Sequence, residues 1–223
     1  MKAMILAAGR GKRMRHLTEH TPKPLLEVNG KPLIVYHLLQ LARLGVRDVV
    51  INISYLAERL QTALGDGRRF GVNIIYSYEP APLDTGGGVY QALPLLGTAP
   101  FLVISADIWT DYDFSQLAQK ITRRAHLVLV PNPDYHPDGD FTCENGLLGL
   151  TGSPKFTFAS FGIYHPALFK GCQPGAFPLA ALYKSGIESG AITGEIYSGK
   201  WFNVGTPEDL RDLNLLFKRK GKI

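Results

Sequence analysis

An unbroken apolar run covers residues 4–8, as a strand buried on both faces requires, and a glycine-rich loop follows it. Residues 32–44 read as a helix: Pro32 suits its first turn, Ile34, Leu38, Leu41 and Ala42 recur at helical spacing, and Gly45 can close it. Residues 48–54 form a second apolar strand, 57–64 a short amphipathic helix and 72–78 a third strand. A helix over 87–93 ends before Pro94, a fourth strand covers 101–105, a helix covers 115–123, and a strand covers 127–130. Strands alternating with helices predict an α/β fold whose parallel sheet has right-handed crossovers. The pattern changes after Pro131. Asn145-Gly146 marks a hairpin within 141–150, and 156–164 is another β stretch. Residues 179–189 read as helix, 191–197 as strand and 207–217 as helix, with Pro207 near its first turn. An α/β half (1–130) thus carries a more antiparallel half (131–217) and a short tail (218–223). No linker divides them, so 1–223 reads as a single domain.

With 45% hydrophobic and 19% charged residues, the chain can fill a core, and disorder is excluded. The longest uncharged run, 85–106, could span a bilayer in length, but it holds Gly86-Gly87-Gly88, Gln91, Pro94, Gly97 and Pro100. No lipid-exposed helix would choose them. The apolar run 3–8 is too short for a signal peptide and meets Arg10, Lys12, Arg13 and Arg15 at once. No membrane partner is expected. Two cysteines, Cys143 and Cys172, read as structural thiols in a reducing cytoplasm. The net charge of +5 owes most to Lys218, Arg219, Lys220 and Lys222 at the very end. A basic terminus without a helix-turn-helix or an aromatic-basic platform points to no nucleic-acid partner. The cations of the glycine-rich loop fit a small polyanion instead.

In an open parallel sheet, ligands sit beyond the carboxyl ends of the strands. After the first strand comes Leu6-Ala7-Ala8-Gly9-Arg10-Gly11-Lys12-Arg13-Met14. Glycines let backbone N–H groups approach phosphates, and the interleaved cations neutralise them. The loop is not a dinucleotide fingerprint, because a third glycine would fall at Met14. Nor is it a P-loop, because Lys12 is followed by Arg13 and the upstream glycine is missing at Leu6. Lys23 stands between Pro22 and Pro24, where a stiff backbone suits a positioned charge.

Taken together, Leu6 to Met14, Leu17-Thr18, Pro22-Lys23-Pro24-Leu25 and Gly30-Lys31-Pro32-Leu33 resemble the sugar-1-phosphate nucleotidyltransferases. Glu79-Pro80-x-x-Leu83-x-Thr85-Gly86-Gly87 resembles that family's base-binding loop, Ser105-Ala106-Asp107 its Gly-Asp strand end, and Asn203-x-Gly205-Thr206-Pro207 its late motif. Ala106 departs from the family's glycine, and its Cβ puts the placing of Asp107 in question. The resemblance runs from end to end, with no β-helical acyltransferase appendage expected. A narrower likeness, over Leu83 to Gly88, Asp107 to Phe114 and Trp201 to Pro207, is to the N-acetylmuramate α-1-phosphate uridylyltransferases, compact enzymes of cell-wall sugar recycling.

The resemblance implies a Rossmann-like, mostly parallel sheet flanked by helices, with a smaller antiparallel sugar-binding part: the nucleotide-diphospho-sugar transferase fold. It implies attack of a sugar 1-phosphate on the α-phosphorus of UTP, assisted by Mg²⁺. Arg13 would hold the leaving phosphates and Lys23 would bridge the two reacting phosphates. Ala7, Ala8, Gly9 and Gly11 would contact the nucleotide, with Thr85 and Gly86 lining the base pocket. Asp107 and Asn203 would hold the metal. Glu79 falls where relatives read the pyrimidine edge; a carboxylate accepts from uracil N3–H and opposes cytosine, which has no hydrogen there. On the sugar side, Gly139 aligns with a sugar-loop glycine and Gly162 with the glycine of a Gly-Ile-Tyr strand. Relatives for N-acetylglucosamine phosphate carry a Glu near 149–153, and its absence here fits an anionic lactyl group. Lys155 would attract that group or is a surface lysine, and Trp109 packs on the sugar or in the core. Mannose-1-phosphate guanylyltransferase and choline-phosphate cytidylyltransferase are the alternatives within the class. The sequence leaves the oligomeric state open.

Overall fold

The computed structural model describes residues 1–120 and 123–220. The first apolar run is β1 (Ala3–Leu6), and two two-residue strands, β2 (Glu27–Val28) and β3 (Lys31–Pro32), lead into α1 (Leu33–Arg43). There follow β4 (Asp48–Ile53), α2 (Ala57–Leu64), β5 (Asn73–Tyr78), α3 (Asp84–Leu96), β6 (Phe101–Ser105), β7 (Ile108–Thr110), α4 (Ser115–Ala118) and β8 (Ala125–Val130). The later part contributes β9 (Thr142–Glu144), β10 (Leu147–Gly149), β11 (Thr157–Tyr164), α5 (Ala180–Glu188), β12 (Ile192–Ile196), β13 (Trp201–Asn203) and α6 (Pro207–Lys220).

Nine strands make one sheet in the order β5-β4-β1-β6-β11-β8-β12-β10-β9. β5, β4, β1 and β6 are parallel, as are β8 and β12; β11 runs against both β6 and β8, and the β9–β10 hairpin is antiparallel. The sheet is therefore mixed and mostly parallel, as expected. β11 inserts between two strands that precede it in sequence, so both stretches of the chain share one continuous sheet.

Successive residues of a strand face opposite layers. Ala3, Ile5, Val49, Ile51, Leu102 and Ile104 pack on one face, against residues of α1 such as Leu38 and Leu41. Met4, Val50, Phe101 and Val103 pack on the other, against residues of α3 and α5 such as Val89 and Tyr183. A third cluster under α6 holds Met14, Leu33, Trp109, Val204 and Leu213. Among the described residues, no helix is long and apolar enough to cross a membrane.

Three expectations change. The 87–93 helix instead starts at Asp84 and runs through Pro94 to Leu96. A proline so near a helix end removes one hydrogen bond without stopping the turn. The 115–123 helix is four residues long, Ser115–Ala118; its 121–122 segment lies outside the described residues, as does 221–223 of the basic tail. β7 and β13 were not expected and pair with each other outside the main sheet.

Candidate active site

The carboxyl ends of β1, β4, β5 and β6 open onto a cleft of about 390 Å³. Its lining includes Ala7, Ala8, Gly9, Gly11, Arg13, Lys23, Glu79, Thr85 and Asp107, nine of the residues singled out from the sequence. Nothing stands within 4 Å of where a Cβ on Gly9 would be, so its backbone faces open space as a phosphate contact needs. Gly11 has another reason to be glycine. Its φ is +64°, and a Cβ would lie 3.1 Å from the Cβ of Lys23.

Lys23 is held by geometry the sequence announces. Pro22 is extended before it (ψ 137°), and the N–H groups of Leu25 and Leu26 close a tight turn on the carbonyls of Pro22 and Lys23. The buried Lys23 Nζ meets Asp107 Oδ2 at 2.7 Å, and Ser105 Oγ donates to Asp107 Oδ1 at 2.7 Å. Burial alone would raise the Asp107 pKa; the Lys23 ammonium and the two hydrogen bonds overrule it and hold the carboxyl below its ordinary value. A carboxyl depressed in the folded state adds stability above its unfolded pKa and loses it as the pH falls through the folded value. Without nucleotide, Asp107→Asn should therefore lose less Tm than the parent between pH 6 and pH 3. Parallel acid limbs in scanning calorimetry would contradict this.

Glu79 is buried at the end of β5. Its Oε1 accepts from Asn52 Nδ2 at 2.7 Å and its Oε2 from the Leu83 N–H at 3.0 Å, while Asn52 Oδ1 accepts from the Ala7 N–H at 2.8 Å. One network thus ties together β1, β4, β5 and the loop before α3. Asn52, an isolated polar residue in an apolar strand, was not singled out in the sequence. That isolation was the available signal, because a buried amide needs partners.

Asn203 ends β13, opposite Ile108, and the Val204 N–H donates to the Asp107 carbonyl at 2.8 Å. Asn203 thus lies beside Asp107 although it is absent from the cleft lining. Thr206 and Asp209 form a reciprocal cap at the start of α6. Asp209 Oδ2 accepts from the N–H groups of Gly205 and Thr206 at 2.9 and 2.7 Å, and the Asp209 N–H donates to Thr206 Oγ1. A Cβ on Gly205 would lie 3.2 Å from Arg13 Nη1, so this glycine lets the guanidinium lie against the chain.

Thr85 serves a clamp as well as a wall, and Gly86 serves the clamp. Thr85 Oγ1 accepts from the Leu179 N–H, and the N–H groups of Gly86 and Gly87 point at the Phe177 carbonyl at 2.8 and 3.0 Å. Gly86 does not line the cleft. The clamp brings Pro178 and Leu179 to a second cavity of about 210 Å³, which shares Leu6, Thr85 and Ser105 with the first. Val103, Phe158, Ser160, Tyr164, Ala180 and Tyr183 complete it. Between the Phe158–Leu129 and Gly162–Leu127 pairs, β11 bulges, with Ser160 at φ 63°. The bulge places Ser160 at the cavity.

The four residues expected on the sugar side line neither cavity. Trp109 is a core residue, packed edge-on to Phe217 with centroids 5.2 Å apart. A Cβ on Gly162 would lie 2.5 Å from the His126 carbonyl, so this glycine serves the close approach of β11 and β8. Gly139, at φ +62°, turns the chain against Asn132, and Lys155 offers its carbonyl to Asn132 Nδ2.

The family model described as Nucleotidyl transferase matches residues 2–141. N-acetylmuramate alpha-1-phosphate uridylyltransferase of Neisseria meningitidis serogroup B is 46% identical over 97% of this chain and 98% of that one. Mannose-1-phosphate guanylyltransferase catalytic subunit beta of Drosophila melanogaster is 39% identical, over 53% of this chain and 33% of its own. The solved structure of HddC from Yersinia pseudotuberculosis complexed with GMP-PN superposes with a TM-score of 0.81, covering 97% of this chain and 99% of that one. At 18% identity it establishes the fold alone. On its motifs, its fold and these likenesses, the chain belongs to the nucleotidyl transferase family.

Proposed function

We propose that this enzyme transfers the uridylyl group of UTP to N-acetylmuramate α-1-phosphate, giving UDP-N-acetylmuramate and pyrophosphate, in the cytoplasmic recycling of cell-wall sugar. The observation that carries the reading is the convergence of Arg13, Lys23 and Asp107 on one cleft, joined to a near full-length likeness to a protein so named. A sugar-phosphate oxygen attacks the α-phosphorus in line. The bond from that phosphorus to the bridging oxygen breaks, and pyrophosphate leaves with the electron pair. Two anions must meet, so catalysis consists of positioning and charge neutralisation. Lys23 bridges the reacting phosphates, and the planar donors of Arg13 hold the leaving pair.

Asp107 and Asn203 fit Mg²⁺. Neighbours across β7 and β13, they offer one carboxylate and one amide oxygen. Among the described residues, no three His, Cys, Asp or Glu side chains gather as a metal cluster. A two-ligand site suits an ion that keeps waters and substrate phosphates. When bound, the ion supplies further neutralisation of the phosphate charge.

Glu79 reads the base. Each of its oxygens accepts one protein hydrogen and retains a lone pair for uracil N3–H. Guanine N1–H would serve equally, so the carboxylate excludes CTP and not GTP. The second cavity, walled by Leu6, Val103, Phe158 and Leu179, gives the acetyl and lactyl methyl groups an apolar seat.

The test is pyrophosphate release with Mg²⁺, pairing UTP, GTP and CTP with the 1-phosphates of N-acetylmuramate, N-acetylglucosamine and mannose. Turnover chiefly with UTP and the muramate is expected. Turnover chiefly with GTP and mannose 1-phosphate would overturn the substrate reading and leave the family intact.

A further inference from the structure

Asp107 and Asn203 stand on backbone that the main sheet does not hold. Asp107 immediately precedes β7, and Asn203 lies opposite Ile108 on β13. Among the described residues, these two three-residue strands pair only with each other, and a two-stranded pair is marginal by itself. Backbone groups along an antiparallel pair face the partner at alternate residues. The Asp107 carbonyl accepts from the Val204 N–H at 2.8 Å, and the Asp111 N–H donates to the Lys200 carbonyl at 3.2 Å. The carbonyls of Ile108 and Thr110 therefore face away from β13. Both residues are buried, so these oxygens need donors from elsewhere.

Helix α1 supplies them. His37 Nε2 donates to the Ile108 carbonyl at 2.9 Å, and Gln40 Nε2 donates to the Thr110 carbonyl at 3.1 Å. Residues three apart share a helix face, so α1 meets alternate carbonyls of β7 as a further strand would. His37 is fully buried, where an imidazole is costlier than a leucine unless it bonds. A carbonyl only accepts, so Nε2 carries the hydrogen; Nδ1 has no partner among the described residues. The single bond to Ile108 thus accounts for a polar residue at this position. We propose that His37 and Gln40 are positioning residues for the metal: by holding the outer edge of β7 they fix the backbone that carries Asp107 and, across the pair, Asn203. The inference rests on the reading of those two residues as the Mg²⁺ ligands.

The test is Mn²⁺ binding, read by electron paramagnetic resonance, to the enzyme loaded with α,β-methylene-UTP. The variants are His37→Leu, Gln40→Leu, Asn203→Ala and Leu41→Ala. The last is a control on the same helix: it opens a cavity at a buried position and removes no hydrogen-bond donor. Loss of a residue that orients a metal ligand typically weakens metal binding by about 10-fold or more. His37→Leu should show about that loss, and Gln40→Leu a smaller one, because Thr110 lies farther along the strand from Asp107 than Ile108 does. Leu41→Ala should lower Tm at least as far as His37→Leu and leave Mn²⁺ affinity within about 2-fold of the parent. Equal weakening in His37→Leu and Leu41→Ala would reduce the effect to general stability and overturn the inference. So would parent affinity in His37→Leu and Gln40→Leu while Asn203→Ala weakens Mn²⁺. Undiminished Mn²⁺ binding in Asn203→Ala would overturn the ligand reading and the inference with it. If His37→Leu does not fold, Gln40→Leu, at a half-buried position, decides by the same comparison with Leu41→Ala.

Discussion

Lys23→Met should lower kcat by about 10²–10³, the range lost when a preorganised charge at a reacting phosphate is removed. Methionine keeps the length of the stem that packs against Gly11 and deletes the ammonium. Two consequences separate. In the reaction, the α-phosphate and the sugar phosphate lose the cation between them, while Arg13 still holds the leaving group. In the free protein, Asp107 loses its 2.7 Å partner and keeps only Ser105 and a backbone hydrogen bond, which should cost about 1–3 kcal/mol of stability. Lys23→Met/Asp107→Asn removes both charges. It should regain most of the stability and none of the activity, because Asp107 is itself in the catalytic cleft. Single-turnover rates and denaturant melts on the three variants decide it. A kcat within tenfold of the parent for Lys23→Met would reduce the lysine to a structural partner of Asp107.

The parts of the site legible in the sequence were those made by one short stretch. Gly9, Gly11 and Arg13 follow β1 directly, and Lys23 sits between prolines that fix its turn, so local chemistry sufficed. Strands β4, β5 and β6 were equally plain because each gathers four apolar residues within five or six positions. What failed was assembled from afar. α3 reaches back to Asp84 where the Gly86 and Gly87 N–H groups meet the Phe177 carbonyl, a partner some 90 residues away. β7 and β13, three residues each, are too short for alternation to be visible. Trp109 stays open between sugar and core in the sequence because nothing nearby announces Phe202 and Phe217, which cover it. The second cavity depends on β11 inserting beside β6 and bulging at Ser160, which periodicity does not carry. What the Gly-Ile-Tyr pattern does not carry is that the missing Cβ of Gly162 makes room for a neighbouring strand's carbonyl.

Gly88→Ala is the second large effect expected, and its sign runs against helix propensity. Within α3, alanine should gain about 1 kcal/mol over glycine. At this position, however, the new Cβ would lie 2.6 Å from Glu79 Oε1 and 2.8 Å from Asn52 Nδ2. Those atoms form the buried bond that joins the ends of β4 and β5, and Glu79 also holds the Leu83 N–H at the entrance to α3. Neither side chain can yield without giving up a charge-assisted hydrogen bond, worth about 1.5–3 kcal/mol once its partner is left buried. The displacement therefore outweighs the propensity gain, and a net loss of about 0.5–2 kcal/mol should appear in the melt. Arg13, Lys23 and Asp107 stand apart from this network, so the catalytic loss should fall on KM for UTP, by about tenfold, more than on kcat. Glu79→Gln tests the same device without a steric change. Both carboxylate oxygens already accept, so the NH₂ group of a glutamine must face either Asn52 Nδ2 or the Leu83 N–H, donor against donor. It should reproduce the rise in KM at a smaller cost in stability. A stabilised Gly88→Ala with an unchanged KM would mean that Glu79 swings aside freely, and the base would then have to be read by other groups of the cleft.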